Sequence, residues 1–222
     1  MNSSIFNPQL TAYLKEIEKN FDSISEERKT KLHELSQFIS DKLKNNKEVL
    51  ITFICTHNSR RSQFGQVWAK VAALYYGLDD QKVSTFSGGT EATACNPRTV
   101  EALKRAGIKI EKQNQISAPL AVADNPRYAV FLDEKKPASF FLFSKKYDAA
   151  ENPQSGYAAV LVCSSADEAC PIVHGAELRL YHGYEDPKVF DNTPKETEMY
   201  DERCKQIATE LFYVFYKVKT SI

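Results

Sequence analysis

Val49-Leu50-Ile51-Thr52-Phe53-Ile54 runs directly into Cys55-Thr56-His57-Asn58-Ser59-Arg60-Arg61-Ser62. The first six residues are apolar or β-branched without alternation. That is the pattern of a strand buried on both faces, as in a parallel sheet. The next eight form a polar loop, and Gln63 to Tyr76 reads as a helix. Further along, Val83 to Ser87 is a second short strand, ending at Gly88-Gly89. Asn96-Pro97 opens a helix over Arg98 to Ala106, closed by Gly107. Tyr157 to Cys163 and Leu178 to Tyr181 are two more strands, and Thr197 to Val218 is the last helix. Strands alternating with helices predict a three-layer α/β/α fold, a central four-stranded parallel sheet with helices on both faces.

Two segments lie outside this rhythm. Residues 8–47 are polar with helical spacing of Leu32, Leu35, Phe38, Ile39 and Leu43, and Ser23-Ile24-Ser25-Glu26 offers a capping box. They predict two helices, about 8–20 and 24–45, packed on the core or serving as a dimerisation or partner-binding arm. Residues 127–132 and 139–143 flank a turn-like Asp133 to Pro137 and predict an inserted β-hairpin. The expected organisation is therefore an N-terminal helical extension, 1–47, and a catalytic domain, 48–222, with an insert at about 119–156.

The 29 Lys plus Arg balance 29 Asp plus Glu, which argues against broad affinity for nucleic acid or an anionic membrane. No stretch is apolar enough to span a bilayer, and the first residues lack a secretory pattern. The five cysteines, Cys55, Cys95, Cys163, Cys170 and Cys204, are an odd number with no Cys-x2-Cys pair. A disulfide scaffold and a zinc site both fit poorly, and a reducing cytoplasm is the expected setting.

The loop's chemistry follows from its position. A loop entering a helix points free backbone N–H groups at one spot, where the helix dipole adds positive charge. Thr56 to Ser62 would cradle a tetrahedral oxyanion, Arg61 would clamp two of its oxygens, and His57 and Arg60 would add charge. The same field favours a thiolate at Cys55 and makes it a nucleophile. The plain alternative is a buried cysteine at a strand end beside a surface arginine.

This loop resembles the signature loop of low-molecular-weight protein tyrosine phosphatases and of the thioredoxin-coupled arsenate reductases built on the same fold. Ser87-Gly88-Gly89-Thr90 and Asn96-Pro97-Arg98-Thr99-Val100-Glu101-Ala102-Leu103 resemble the family's next segments. The likeness covers about residues 49–118 and 157–216. His57 stands where glycine is usual and Arg60 where cysteine is common. A positive φ at position 57 would strain the loop.

Tyr184-Glu185-Asp186-Pro187 follows the last predicted strand, at a carboxyl end where α/β sites form. By itself Asp186-Pro187 reads as a surface turn. The resemblance implies that Asp186 is the general acid, with Glu185 and Asp201 as weaker candidates. Lys188 stands where phosphatases commonly place an aromatic, leaving Tyr184 or Phe190 to substitute.

Cys163 ends a strand on the same side of the sheet as Cys55, and Cys170 follows seven residues on, before Pro171. A helix between them would hold them ~10 Å apart. A disulfide needs Cα atoms roughly 4.4–6.8 Å apart, so closure requires unwinding. The segment resembles the redox helix of the thioredoxin-coupled reductases. That resemblance implies an arsenate reductase using Cys55, Cys163 and Cys170 in relay. Thioredoxin would be the reductant, with no required cofactor and a structural potassium ion near the loop. A phosphotyrosine phosphatase and a non-catalytic oxyanion-binding module are the alternatives. Cys204 reads as packing, and Cys95 is left open to exposure and mild reactivity.

Overall fold

The computed structural model describes residues 5–78, 82–113, 125–133, 135–170 and 172–222. In chain order the elements are α1 (Pro8–Glu18), α2 (Glu26–Lys44), β1 (Val49–Cys55), α3 (Arg61–Tyr75), β2 (Val83–Gly89), α4 (Pro97–Arg105), β3 (Lys109–Lys112), β4 (Tyr128–Phe131), β5 (Phe140–Leu142), β6 (Tyr157–Leu161), α5 (Ser164–Ala169), β7 (Ala176–Tyr181) and α6 (Glu196–Ser221). The main sheet is parallel throughout, in the order β2-β1-β6-β7, and helices flank it. The apolar run at Val49 is its central strand, and six of the seven β1 residues are buried.

β1 pairs with β2 from Val49–Val83 to Cys55–Gly89 and with β6 from Ile51–Ala158 to Ile54–Leu161. The carboxyl ends of all three strands therefore meet at one edge of the sheet. Cys55, Gly89 and the chain leading to Cys163 converge there. α3 presses on β1 through Gly65, whose Cβ, if present, would stand 2.5 Å from two Phe53 ring carbons.

The two N-terminal helices form close to the expected bounds. Asn7 caps α1 by accepting from Leu10 N–H, with Pro8 at the first helical position. α2 carries Glu26 and Glu27 in its first turn and Lys42 and Lys44 in its last, matching the helix dipole. Its cap is Ser25, which accepts from Arg28 N–H, and not the expected Ser23. Ser23 sits in a 3-10 turn, Phe21–Ser23, because Ile24 must turn inward to be buried. Leu10, Leu14, Ile17, Leu32, Leu35 and Ile39 all enter the same hydrophobic core as the sheet.

The expected hairpin forms, with Tyr128 opposite Leu142. It is not isolated: β3 adds to it, giving a separate antiparallel sheet in the order β3-β4-β5. Lys109-Ile110-Glu111-Lys112 escaped notice because only Ile110 of its four residues is buried. The start of the expected insert, 119–124, and Pro171 lie outside the described residues. No described helix is long and apolar enough to cross a membrane.

If the N-terminal helices fold as one unit with the sheet, Leu14→Ala should cost about 2–5 kcal/mol. Urea unfolding followed by both tryptophan fluorescence and circular dichroism checks this, since Trp68 lies in α3. One shared, shifted transition is expected. A separate early transition confined to helicity would mean that the arm folds by itself.

Candidate active site

The loop between β1 and α3 is shaped from outside by its own carbonyls. Cys55 O accepts from Thr90 N–H at 3.1 Å, Thr56 O from Glu91 N–H at 2.8 Å and Ser59 O from Asn96 N–H at 3.1 Å. His57 O accepts from the Ser144 hydroxyl at 2.8 Å, and Asn58 O from Gln63 Nε2 at 2.8 Å. In a trans peptide the N–H opposes the C=O. Five carbonyls turned outward therefore turn the N–H groups of residues 56–60 inward, which forms an anion cradle.

The turn that makes this possible is at Asn58, with φ 47°, and not at His57. Asparagine tolerates the left-handed region better than other non-glycine residues. The suspected strain at His57 thus falls one residue later, on a side chain suited to it. Gly89 completes the fit: a Cβ there would stand 2.6 Å from Thr56 O and 2.7 Å from Asn58 N.

Asn58 is fully buried and is tied to Cys55 through Ser62. Its Oδ1 accepts from Lys145 N–H at 3.0 Å, so its Nδ2 is the end that donates, to Ser62 Oγ at 2.9 Å. With that lone pair taken, the Ser62 hydroxyl is free to donate to Cys55 Sγ, 3.0 Å away. The hydroxyl of Ser62, a residue of the loop expected to hold the oxyanion, lies against the sulfur. Asn58 and Ser62 were legible as loop residues, but this directed chain of hydrogen bonds was not. It depends on Lys145, which lies 87 residues from Asn58.

Arg61 directs its fork at the acid segment. Nη2 donates to Asp186 Oδ2 at 2.7 Å and Nη1 to Tyr184 O at 2.9 Å. The loop arginine and the expected acid are thus brought together. Asp186 Oδ1 also accepts from Lys188 N–H, capping the 3-10 turn Pro187–Phe190. The turn reading and the site reading of Asp186-Pro187 describe the same residue. Asp201 is paired with Arg105 on the surface, and Glu185 is exposed.

Arg60 departs from expectation. Its guanidinium bonds to Tyr200 Oη at 2.7 Å and to Asp191 Oδ2 at 3.2 Å, so its charge is matched by a carboxylate from outside the loop. His57 is half-exposed, 3.7 Å from Glu91. Tyr184 is buried and cannot wall the site. Beside the loop, a cavity of about 480 Å³ is lined by His57, Ser59, Arg60, Asn96 and Lys188 among others, without Phe, Tyr or Trp.

Cys163 is buried at the end of β6, where Val162 N–H still bonds to Ile54 O. Its Sγ lies 3.5 Å from Thr56 Oγ1, inside the loop. α5 spans the residues between Cys163 and Cys170, as the helical alternative required. Its far end is fastened by Arg179, which donates to Cys170 O at 3.0 Å and to the Asp167 carboxylate. Burial pushes the Cys170 thiol up, and contacts with Tyr147 and Arg179 offset this in part. All five cysteines are free. Cys95 is not exposed: it is buried and its thiol is pushed up to about 12. Cys204 is also pushed by burial to about 12, although it accepts from Trp68 Nε1.

The resemblance implies a potassium ion near the loop, and the side-chain oxygens there, on Asn58, Gln63 and Gln66, each already accept a hydrogen bond. Asn58 Oδ1 is taken by Lys145 N–H, and Gln63 and Gln66 Oε1 accept from the Ser87 hydroxyl. Among the described residues no cluster of three His, Cys, Asp or Glu side chains could hold a metal.

The family model for low molecular weight phosphotyrosine protein phosphatase matches residues 50–136. A relative named arsenate reductase, from Halalkalibacterium halodurans, is 30% identical over 169 residues, which cover 74% of this chain and 95% of the relative. Another arsenate reductase, from Bacillus subtilis, is 28% identical over 70% of this chain and 86% of its own length. A crystal structure of a YwlE mutant from Bacillus subtilis superposes with TM-score 0.51 at 16% identity, over 78% of this chain and 99% of that one. The chain belongs to the low molecular weight phosphotyrosine protein phosphatase family. It is an enzyme, and its curated relatives include proteins named arsenate reductase.

The Ser62–Cys55 contact gives a test. Removing a hydrogen bond to the attacking sulfur should slow its attack, so Ser62→Ala should slow alkylation of Cys55 by iodoacetamide at pH 7 by roughly three-fold or more. Peptide mapping reads the rate. Cys95 and Cys204 should stay unlabelled in the folded protein, and labelling of either as fast as Cys55 would contradict their burial.

Proposed function

We propose that the protein reduces arsenate to arsenite with electrons from its own thiols. Arsenate binds the inward N–H groups and takes the Arg61 fork, releasing Asp186. Cys55 Sγ attacks arsenic, and Asp186, which takes up a proton from solvent once Arg61 has let it go, gives that proton to the departing hydroxide, which leaves as water. Cys163 then attacks Cys55 Sγ. The S–As bond breaks with its electron pair going to arsenic, which passes from As(V) to As(III). Arsenite departs and a Cys55–Cys163 disulfide remains. Cys170 attacks Cys163 and frees Cys55, and a dithiol reductant of the thioredoxin class reduces the resulting Cys163–Cys170 bond.

The observation that carries this reading is the thiol arrangement. Cys163 borders the loop beside Thr56, and Cys170 closes the far end of one short helix. A helix of six residues held at its end by Arg179 is a small element to unwind. Five free cysteines suit a reducing compartment such as the cytoplasm.

A phosphomonoesterase is the second reading, favoured by the family model match over residues 50–136. Cys55, Arg61 and Asp186 suffice for it, through a phosphocysteine hydrolysed by water. A non-catalytic oxyanion-binding module would require Cys55 to be unreactive at neutral pH.

The deciding assay is arsenate-dependent NADPH oxidation with thioredoxin and thioredoxin reductase. Wild type should turn over, and Cys170→Ser should lose steady turnover by about 100-fold or more, since the exchange chain stops after one cycle. No turnover in either, with p-nitrophenyl phosphate still cleaved, would overturn the reductase reading in favour of the phosphatase.

A further inference from the structure

Arg28 is the third residue of α2, in the N-terminal extension and outside the stretch matched by the family model. Its side chain does not lie along the solvated face of that helix. Nε donates to Glu210 Oε1 at 2.6 Å and Nη2 to Glu210 Oε2 at 2.9 Å. Nη1 donates to the Gly183 carbonyl at 3.1 Å. The guanidinium carbon stands 5.0 Å from the centre of the Tyr184 ring. Glu210, on α6, is 3% exposed and also takes His182 Nε2 at 2.7 Å. The His182 and Tyr184 rings meet edge to face at 5.3 Å.

Three consecutive residues are thereby fixed from one side. Glu210 holds His182, and Arg28 holds both the Gly183 carbonyl and the Tyr184 ring. On the other side, His182 N–H and Tyr184 N–H bond to Leu161 O and Val162 O, and Tyr184 O accepts from Arg61. Asp186 stands two residues further on. The segment leaves β7, an edge strand of the main sheet, so the sheet supports it on one side only.

We propose that Arg28 is a positioning residue for Asp186. By gripping Glu210 and the 182–184 backbone with one fork, the N-terminal extension sets where the acid stands over Cys55. The proposal rests on the reading of Asp186 as the acid. A lysine would keep the charge but lose the fork, which needs two parallel donors at fixed spacing.

The test uses two esters that differ in their need for an acid. p-Nitrophenolate leaves with little protonation, whereas phenolate needs it. Arg28→Met should lower kcat on phenyl phosphate by about ten-fold or more and on p-nitrophenyl phosphate by less than about three-fold, with KM little changed. Asp186→Asn should show the same pattern more strongly, and adding Arg28→Met to it should change nothing further. Arg28→Lys should recover part of the loss. Amide exchange at His182 and Tyr184 should quicken in Arg28→Met while β1 stays protected.

Arg28 borders a cavity of about 320 Å³ with Ser25, Gln206 and Thr209, so water can reach Glu210 once the guanidinium is gone. Should the variant still fail to fold, Arg28→Met with Glu210→Gln removes the unpaired carboxylate and is read in the same way. Equal losses on both esters, or a further loss on top of Asp186→Asn, would overturn the proposal. If wild type cleaves neither ester, the functional reading falls only if arsenate is not reduced either, and exchange alone judges the positioning. Unchanged protection at 182–186 would then overturn it.

Discussion

The backbone of Asn58 holds the site together. At φ 47° it reverses the chain after β1 so that the carbonyls of residues 55–59 point out into the protein. The N–H groups then face the space in front of Cys55. The same residue's side chain, fully buried, passes a hydrogen bond through Ser62 to the sulfur. The turn of the loop and the contact to the Cys55 sulfur are thus fixed by one residue. Its own position is set by Lys145 N–H and by Gln63, which donate to its side-chain and backbone oxygens. Surrounding structure that over-determines a turn in this way can sustain an uncommon backbone conformation at little cost elsewhere.

The electrostatics of the site run through shared partners. Arg61 pairs with Asp186 at 2.7 Å, which sets a carboxylate beside the largely buried guanidinium. An arriving oxyanion competes for the same two donors. Behind this pair, burial would push the Glu210 carboxyl up, but hydrogen bonds from His182 and Arg28 outweigh it and hold it at about 2. A carboxylate whose folded pKa lies below its unfolded value contributes stability above the unfolded value. That contribution fades as pH falls from about 4.5 toward 2. The support behind the acid segment therefore stays charged throughout the neutral range.

Much of this was legible in the sequence. The run Val49 to Ile54 has no polar residue but Thr52, so only a strand covered on both faces suits it. Asn96-Pro97 and Gly107 mark a helix by backbone chemistry alone. What escaped had weak local signals. Lys109 to Lys112 shows charge at three of four positions, and its pairing with β4 is known only once the chain has folded back. Arg28 looks like one more charge on a polar helix, because its partners lie 154–182 residues away. Arg60 was read as loop charge because Asp191 and Tyr200 are also distant in sequence. Local pattern specifies elements, whereas a buried charge pair is specified by topology.

We propose that arsenate takes its two electrons from the Cys55 and Cys163 thiols and that exchange then leaves the oxidation on Cys163 and Cys170. The most direct test is a single turnover with arsenate and no external reductant, quenched with acid and alkylating agent and mapped by mass spectrometry. Wild type should yield one arsenite per chain and a Cys163–Cys170 disulfide, and Cys170→Ser a Cys55–Cys163 disulfide. Arsenite formed without either disulfide, or no arsenite from a protein that still binds arsenate at the loop, would contradict the account.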